Sequence, residues 1–149
     1  MNATTSDQAR CGCEKPILFG NVELGEKRHI CAFFNSAEEE YRVLMPFIRE
    51  GFERTRVVAH MEWGLEQRAG ADDLLEYEAR FNLRIRNRDP VVCTYDLNLY
   101  SAAFIVDVMR THPMMLAGGI LQENPFYVQP EEFIRELQDR KARKIAAGA

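Results

Sequence analysis

The sequence lacks any apolar run of the length that a membrane-spanning helix needs, which is about 18 residues. Residues 1–10 are polar and lack the apolar core of a secretion signal. An excess of positive charge is also missing: the net charge is −4, so nothing draws the whole chain toward nucleic acid. We therefore expect a cytoplasmic protein without a membrane or nucleic-acid partner.

The sequence also lacks the glycine-rich motifs that cradle phosphate groups or present a catalytic serine. G-x-x-x-x-G-K-[ST], G-x-G-x-x-G and G-x-S-x-G are all absent. Where a nucleotide-binding sheet has glycines, residues 35–40 read N-S-A-E-E-E, and three carboxylates there would repel phosphate. We therefore expect no cofactor and no self-sufficient catalytic centre, which argues against an enzyme.

Cysteine is scarce, with four residues, and without a secretion signal these are expected to be reduced thiols. Cys31 and Cys93 lie in apolar runs and resemble small buried hydrophobic residues. Cys11 and Cys13 together with His29 and Cys31 offer soft ligands for zinc or copper. Their spacing matches no strong zinc pattern, so we expect no metal site.

The 149 residues, 46% of them hydrophobic and 28% charged, are typical of one globular domain. Short apolar runs that predict strands alternate with segments of helical spacing. The predicted strands are 29–34, 56–61, 91–95 and 114–117, and the predicted helices are 37–53, 72–85, one from Ser101 and one from Pro130. This alternation predicts an α/β fold with a mainly parallel sheet flanked by helices. Residues 1–27 are expected to be an irregular lead-in and 141–149 a basic tail.

Candidate binding groups cluster where the predicted strands end, because ligands bind beyond the carboxyl ends of parallel strands. This rule selects Asn35, residues 60–63, Tyr95 with Asp96, and residues 118–119 as a common rim.

Each polar candidate on or near this rim has both a functional and a structural interpretation. His60 and Glu62 share one side of an extended segment and suit a metal or a proton shuttle. Alternatively, Glu62 has a structural role as a cap or in an ion pair, while Trp63 packs against the sheet. Asp96 accepts a ligand hydrogen bond or caps a turn. His112 contacts a ligand or stabilises a helix C-terminus. Glu123 belongs to a ligand lid or to a rigid turn.

Several motifs resemble those of the MEDS family, a sensory domain named for methanogens and methylotrophs. They span about residues 24–138 and read HICAFF, AHMEW, DLLEYEARFN, VVCTYD and RTHPMMLAGGILQENPFYVQPEEF. The resemblance implies a RecA- or KaiC-like α/β fold without a phosphate loop, with residues 28–140 as the sensory domain. It also implies a sensory role for small organic ligands in bacterial or archaeal signalling.

The chain departs from similar domains in one respect, because GFER at 51–54 runs directly into TRVVAHMEW. Those domains have several dozen more residues at this point, so we infer an internal deletion between residues 54 and 56. A sheet shortened in this way is expected to expose an edge or a helix-packing face. Dimerisation would cover such a surface.

These observations predict a sensory module that binds a small organic ligand and relays the signal to a protein partner, with a homodimer expected. The predicted ligand-binding residues are His29, Glu62, Trp63, Tyr95, Asp96, His112 and Glu123. One alternative is an interaction-only protein that dimerises or binds a kinase or anti-sigma partner. Another is a metal-dependent hydrolase or lyase that uses His60, Glu62, Asp96 and His112.

Overall fold

The computed structural model describes residues 17–19, 22–49, 56–62, 70–84 and 90–148. The elements in chain order are β1 (Ile17–Phe19), β2 (Val22–Leu24), β3 (His29–Phe34), α1 (Ala37–Arg49), β4 (Val57–His60), α2 (Ala71–Asn82), β5 (Val91–Asp96), α3 (Ala102–Thr111), β6 (Met114–Ala117), β7 (Ile120–Glu123) and α4 (Pro130–Gly148). No helix within these ranges is both long enough and apolar enough to cross a membrane.

A five-stranded sheet with the order β4-β5-β3-β6-β7 forms the centre of the fold. β4, β5, β3 and β6 run parallel, and β7 pairs antiparallel with β6 at one edge. All six residues of β3 are buried, as expected for a central strand covered on both faces. The predicted α/β class with a mainly parallel sheet is confirmed.

Alternate side chains of each strand enter two separate cores, one on each face of the sheet. Cys31, Phe33 and Tyr95 lie on the face covered by α2, α3 and α4, which we call the α2 face. Ile30 and Ala32 lie on the opposite face, covered by α1 and the β1–β2 hairpin, which we call the α1 face. Because successive side chains of a strand point to opposite faces, odd-numbered and even-numbered residues of β3 enter different cores.

Serine hydroxyl groups cap the N-termini of two helices, α1 and α3. The Ser36 hydroxyl accepts the Glu39 backbone N–H at 3.2 Å, and the Glu39 carboxylate reaches back to the Asn35 N–H at 3.0 Å. The Ser101 hydroxyl accepts the Phe104 N–H at 3.3 Å. Each cap satisfies a backbone donor that the first helical turn leaves without a partner.

The predicted irregular lead-in is wrong for residues 17–19 and 22–24, which form the antiparallel pair β1–β2. Ile17, Phe19 and Leu24 are buried, and the Phe19 ring lies 4.5 Å from that of Phe47 on α1. Three large apolar side chains therefore order a segment whose strands are each only three residues long.

The sheet has one strand beyond those that the sequence predicts, β7, which begins at Ile120 and ends at Glu123. Gly118 and Gly119 connect β6 to β7 with φ values of 56° and 77°. A two-residue hairpin turn of this kind needs positive φ at both positions, which glycine adopts without a steric penalty.

The basic residues beyond 140 belong to the last helix, because α4 continues to Gly148. Its basic side chains pair with carboxylates of neighbouring helices: Arg140 with Asp107 at 2.7 Å and Lys141 with Asp73 at 2.7 Å. Cys11, Cys13 and the inferred deletion point at 54–56, apart from Arg56 itself, lie outside the described residues.

Candidate functional site

Four side chains with metal-binding or acid–base chemistry meet inside the core on the α2 face: His29, Glu78, Cys93 and His112. We call them the buried cluster. Their exposed fractions are 2%, 1%, 3% and 0%, so the group is closed to solvent. A buried polar group of this kind is costly unless its members satisfy one another or hold a ligand.

Local structure explains how each member reaches this point. His29 and Cys93 occupy positions of the neighbouring strands β3 and β5 whose side chains face α2. Glu78 lies on the buried stripe of α2 beside Leu75 and Ala79. His112 ends α3, where its backbone N–H bonds to the Met109 carbonyl. The cluster therefore joins two strands and two helices.

The donor atoms of the cluster are close together. His29 Nε2 and His112 Nε2 each lie 3.5 Å from Glu78 Oε2. Cys93 Sγ lies 3.4 Å from His29 Nε2 and 3.9 Å from Glu78 Oε2. One donor atom from each residue lies within 4.8 Å of all the others.

The outer nitrogen of each imidazole is engaged, and this assigns the proton on each ring. His29 Nδ1 donates to Asn82 Oδ1 at 2.9 Å, because the Asn82 amide nitrogen already donates to the Glu78 carbonyl. His112 Nδ1 donates to the Val108 carbonyl at 3.0 Å, since a carbonyl only accepts. In the neutral rings both Nε2 atoms therefore present lone pairs to the centre of the cluster.

The electrostatics of the cluster favour neutral groups. Burial lowers the pKa of His29 to about 4 and that of His112 well below its usual value. Burial raises the pKa of Glu78 to about 7, although hydrogen bonds from Tyr95, at 3.3 Å, and from Cys93 oppose this rise. In mildly acidic solution His29, His112 and Glu78 are therefore all neutral. The two short contacts between Glu78 and the histidines are then not ion pairs.

The structure brings together three of the predicted ligand-binding residues. His29 and His112 are in the cluster, with ring centroids 4.1 Å apart, and the Tyr95 ring lies 6.1 Å from that of His112. His29 is the first residue of β3, so the cluster includes an amino end of the sheet. The predicted rim at the carboxyl ends is therefore not where the buried polar groups gather.

The other predicted ligand-binding residues lie elsewhere. Asp96 Oδ1 accepts the Asn98 backbone N–H at 2.8 Å, which is the turn-capping alternative. Glu123 is exposed and pairs with Lys27 at 2.8 Å. Glu62 is partly exposed just after β4. Trp63 lies outside the described residues.

The four residues named for a hydrolase or lyase do not converge. His60 pairs in register with Thr94, whose side chain faces away from Cys93 and Tyr95, so His60 lies on the α1 face. His112 lies on the α2 face with the cluster. The sheet itself separates these two residues, and the predicted water-activating set is not assembled.

Sequence reasoning missed Glu78, Cys93 and Asn82 as members of the site. One signal was available: Glu78 falls on the apolar stripe of the predicted 72–85 helix, and Asn82 follows it by four residues on the same side. A carboxylate and an amide on a buried helix face indicate that they meet polar partners in the core.

A second candidate site is an open, mainly apolar groove of about 220 Å³ between α1 and β4. Its lining includes Tyr41, Leu44, Ile48 and Val58, with Glu40 and His60 as its polar groups. Glu40 Oε1 lies 3.2 Å from His60 Nδ1, yet it is buried without a hydrogen-bond partner in the described part of the chain.

Comparison with known proteins confirms the predicted resemblance over part of the chain. Residues 48–113 match the family model of the MEDS domain, the "MEthanogen/methylotroph, DcmR Sensory domain". The transcriptional repressor DcmR of Methylorubrum extorquens is 31% identical over 64 residues, which are 42% of this chain and 24% of the repressor. The match thus spans about a quarter of that relative's length. No solved structure matches, so the RecA-like resemblance stays a prediction.

Proposed function

Taking residues 48–113 as a MEDS segment, we propose that this chain is a sensory module that binds a small organic ligand and relays its presence to a regulatory partner. The family match carries the sensory role. The similarity to a protein named as a transcriptional repressor supports a regulatory output. The expectation that nucleic acid plays no part is not supported by that relative, although the net charge of −4 favours a protein as the direct partner.

We place the proposed ligand-binding site in the groove between α1 and β4. An apolar lining with few polar groups is typical of small-molecule sites, and a volume of about 220 Å³ suits a small compound. Glu40 Oε1 makes no hydrogen bond within the described residues, although His60 Nδ1 lies 3.2 Å away, and it gains one if the ligand carries an N–H or O–H group. We therefore propose a short-chain alcohol or amine, in preference to a halogenated compound that lacks a donor.

A thermal-shift screen of the full chain tests this function. It compares one-carbon and short-chain alcohols, amines and halogenated compounds. A ligand at about 100 times its dissociation constant stabilises the fold by ~2.7 kcal/mol, which raises the melting temperature by roughly 5–10 °C. Tyr41→Ala should reduce this shift, whereas the matched Tyr77→Ala on α2 should leave it unchanged. No shift with any compound, for a chain that melts cooperatively, would contradict the proposal.

An interaction-only function is the second candidate, and the position of β4 favours it. Among the described strands β4 has a neighbour on one side only, and Val57, Tyr41 and Ile48 are exposed near this edge. Such an edge is a template for pairing with another chain. Light scattering after size exclusion should then show a dimer, and a strictly monomeric chain would contradict the dimeric form of this function.

A further inference from the structure

We propose that the buried cluster is a closed, four-coordinate metal site of the zinc type, with His29 Nε2, His112 Nε2, Glu78 Oε2 and Cys93 Sγ as the donor atoms. This inference does not depend on the sensory function, and neither the family match nor the similar repressor assigns such a site. It also departs from the sequence-based expectation that the chain holds no metal.

The spacing of the donor atoms is the first argument. Zinc bonds of roughly 2.0–2.2 Å to nitrogen or oxygen and 2.3 Å to sulfur place tetrahedral donors about 3.3–3.7 Å apart. The distances from Glu78 Oε2 to the two imidazole nitrogens are 3.5 Å, and Cys93 Sγ lies 3.4 Å from His29 Nε2. Cys93 Sγ lies 3.9 Å from Glu78 Oε2, and no two donors are more than 4.8 Å apart, so three of the donor pairs already match and the donors need to shift by about 1 Å at most to hold an ion.

The orientation of the histidines is the second argument. Both rings donate from Nδ1 to protein oxygens, which leaves both Nε2 lone pairs directed into the cluster. His112 Nε2 is fully buried and makes no hydrogen bond within the described residues. A cation at the centre satisfies this orphaned acceptor together with the other lone pairs.

The groups behind the donors are the third argument. Ligating histidines in metal sites almost always donate their other N–H to a carbonyl or carboxylate, and ligating carboxylates accept hydrogen bonds in turn. Asn82 and the Val108 carbonyl take these positions behind His29 and His112, and the Tyr95 hydroxyl donates to the second oxygen of Glu78. The surroundings orient every nitrogen and oxygen donor.

The donor set selects the class of ion. Two imidazoles, one thiolate and one carboxylate suit zinc and similar transition metals, whereas Mg²⁺ and Ca²⁺ prefer oxygen alone. Four protein ligands without solvent access describe a closed site, which leaves no open position for substrate. The proposed ion therefore fastens α2 and the end of α3 to the sheet and does not perform catalysis.

The first experiment measures metal directly. The full chain, purified without a polyhistidine tag, is dialysed against metal-free buffer, and its zinc content is determined by mass spectrometry. We expect stoichiometric zinc. Replacement by Co²⁺ should give the visible bands of tetrahedral cobalt and a near-ultraviolet thiolate-to-cobalt band. A chain that holds no zinc and takes up no cobalt would overturn the proposal.

Matched variants identify the donors. Cys93→Ala should lose the thiolate band and the stoichiometric metal, whereas Cys31→Ala, at the paired position of β3 on the same face, should retain both. His60→Gln, on the α1 face, is the corresponding histidine control. If Cys93→Ala does not fold, the cobalt spectra of the parent and Cys31→Ala still decide the question. Loss of metal in Cys31→Ala but not in Cys93→Ala would overturn the site in favour of Cys11, Cys13, His29 and Cys31.

Discussion

Replacing Asn82 tests how the surroundings of the buried cluster stabilise it. The Asn82 side chain accepts from His29 Nδ1 and donates to the carbonyls of Glu78 and Thr111. In Asn82→Ala the His29 N–H and the Thr111 carbonyl lose this partner, whereas the Glu78 carbonyl keeps its bond within α2. The substitution therefore removes polar contacts without touching a proposed metal donor.

The expected magnitude follows from these two losses. Each buried group left without a partner costs about 1–3 kcal/mol. Because Asn82 is itself half-buried, water replaces part of the lost hydrogen bonding, and we expect a loss of about 2 kcal/mol in the free energy of unfolding. Loss of an orienting group also weakens metal binding by about 10–100-fold.

Urea unfolding in the presence of a chelator measures the first effect, and competition with a chromophoric chelator measures the second. Asn82→Asp keeps an acceptor for His29 but no donor for Thr111, so it should lose stability and retain metal affinity. Asn98→Ala, in the turn after β5, is the control for metal binding. Asn82→Ala with unchanged stability would refute the hydrogen-bond argument, and unchanged metal affinity would refute the orienting role.

Three further substitutions test the packing, capping and charge of the helices. Leu137→Ala opens a cavity under α4 and should cost about 2–5 kcal/mol in urea unfolding, whereas the exposed Ile145→Ala should stay within ~0.5 kcal/mol; equal costs would contradict the docking of α4. Ser101→Ala should cost about 1 kcal/mol through loss of the α3 cap, and Ser101→Gly less; no loss in the alanine variant would contradict the cap. The hydrogen bond from Lys141 lowers the pKa of Asp73 in the folded protein. The contact therefore stabilises the fold at pH values above the pKa that Asp73 has in the unfolded chain, and this stabilisation is lost as the pH falls through the lower pKa of the folded state. In Lys141→Met the melting temperature should therefore fall less steeply as the pH is lowered through the acid range. A pH dependence identical to that of the parent chain would contradict this.

The main sheet could be predicted because its strands are buried on both faces and therefore appear as continuous apolar runs, as in HICAFF and VVCTY. The starts of α1 and α3 could also be predicted, because each depends on a local hydrogen bond from the backbone to a serine hydroxyl. The β1–β2 hairpin could not be predicted, because strands of three residues carry too little periodicity and are ordered by packing against α1. The partners of the basic residues on α4 depend on tertiary structure, because Arg140 and Lys141 pair with carboxylates of other helices.

The candidate site was predicted only in part. His29, Tyr95 and His112 could be selected because each is a polar or aromatic group near an element boundary. Glu78 and Cys93 join them only after folding, since the rotation of α2 and the pairing of β3 with β5 place them against the histidines. Element order also suggested the carboxyl ends of the strands, which is a rule for open crevices and not for a group sealed inside the core.

The complete burial of the cluster has a kinetic consequence. With every member 3% exposed or less, nothing can enter or leave while α2 and α3 stay docked. Exchange of an occupant therefore proceeds at the rate of local opening, however strong or weak the equilibrium affinity is. A filled cluster would keep its occupant for the lifetime of the closed state, and hydrogen exchange of the α2 backbone amides would report the same opening step.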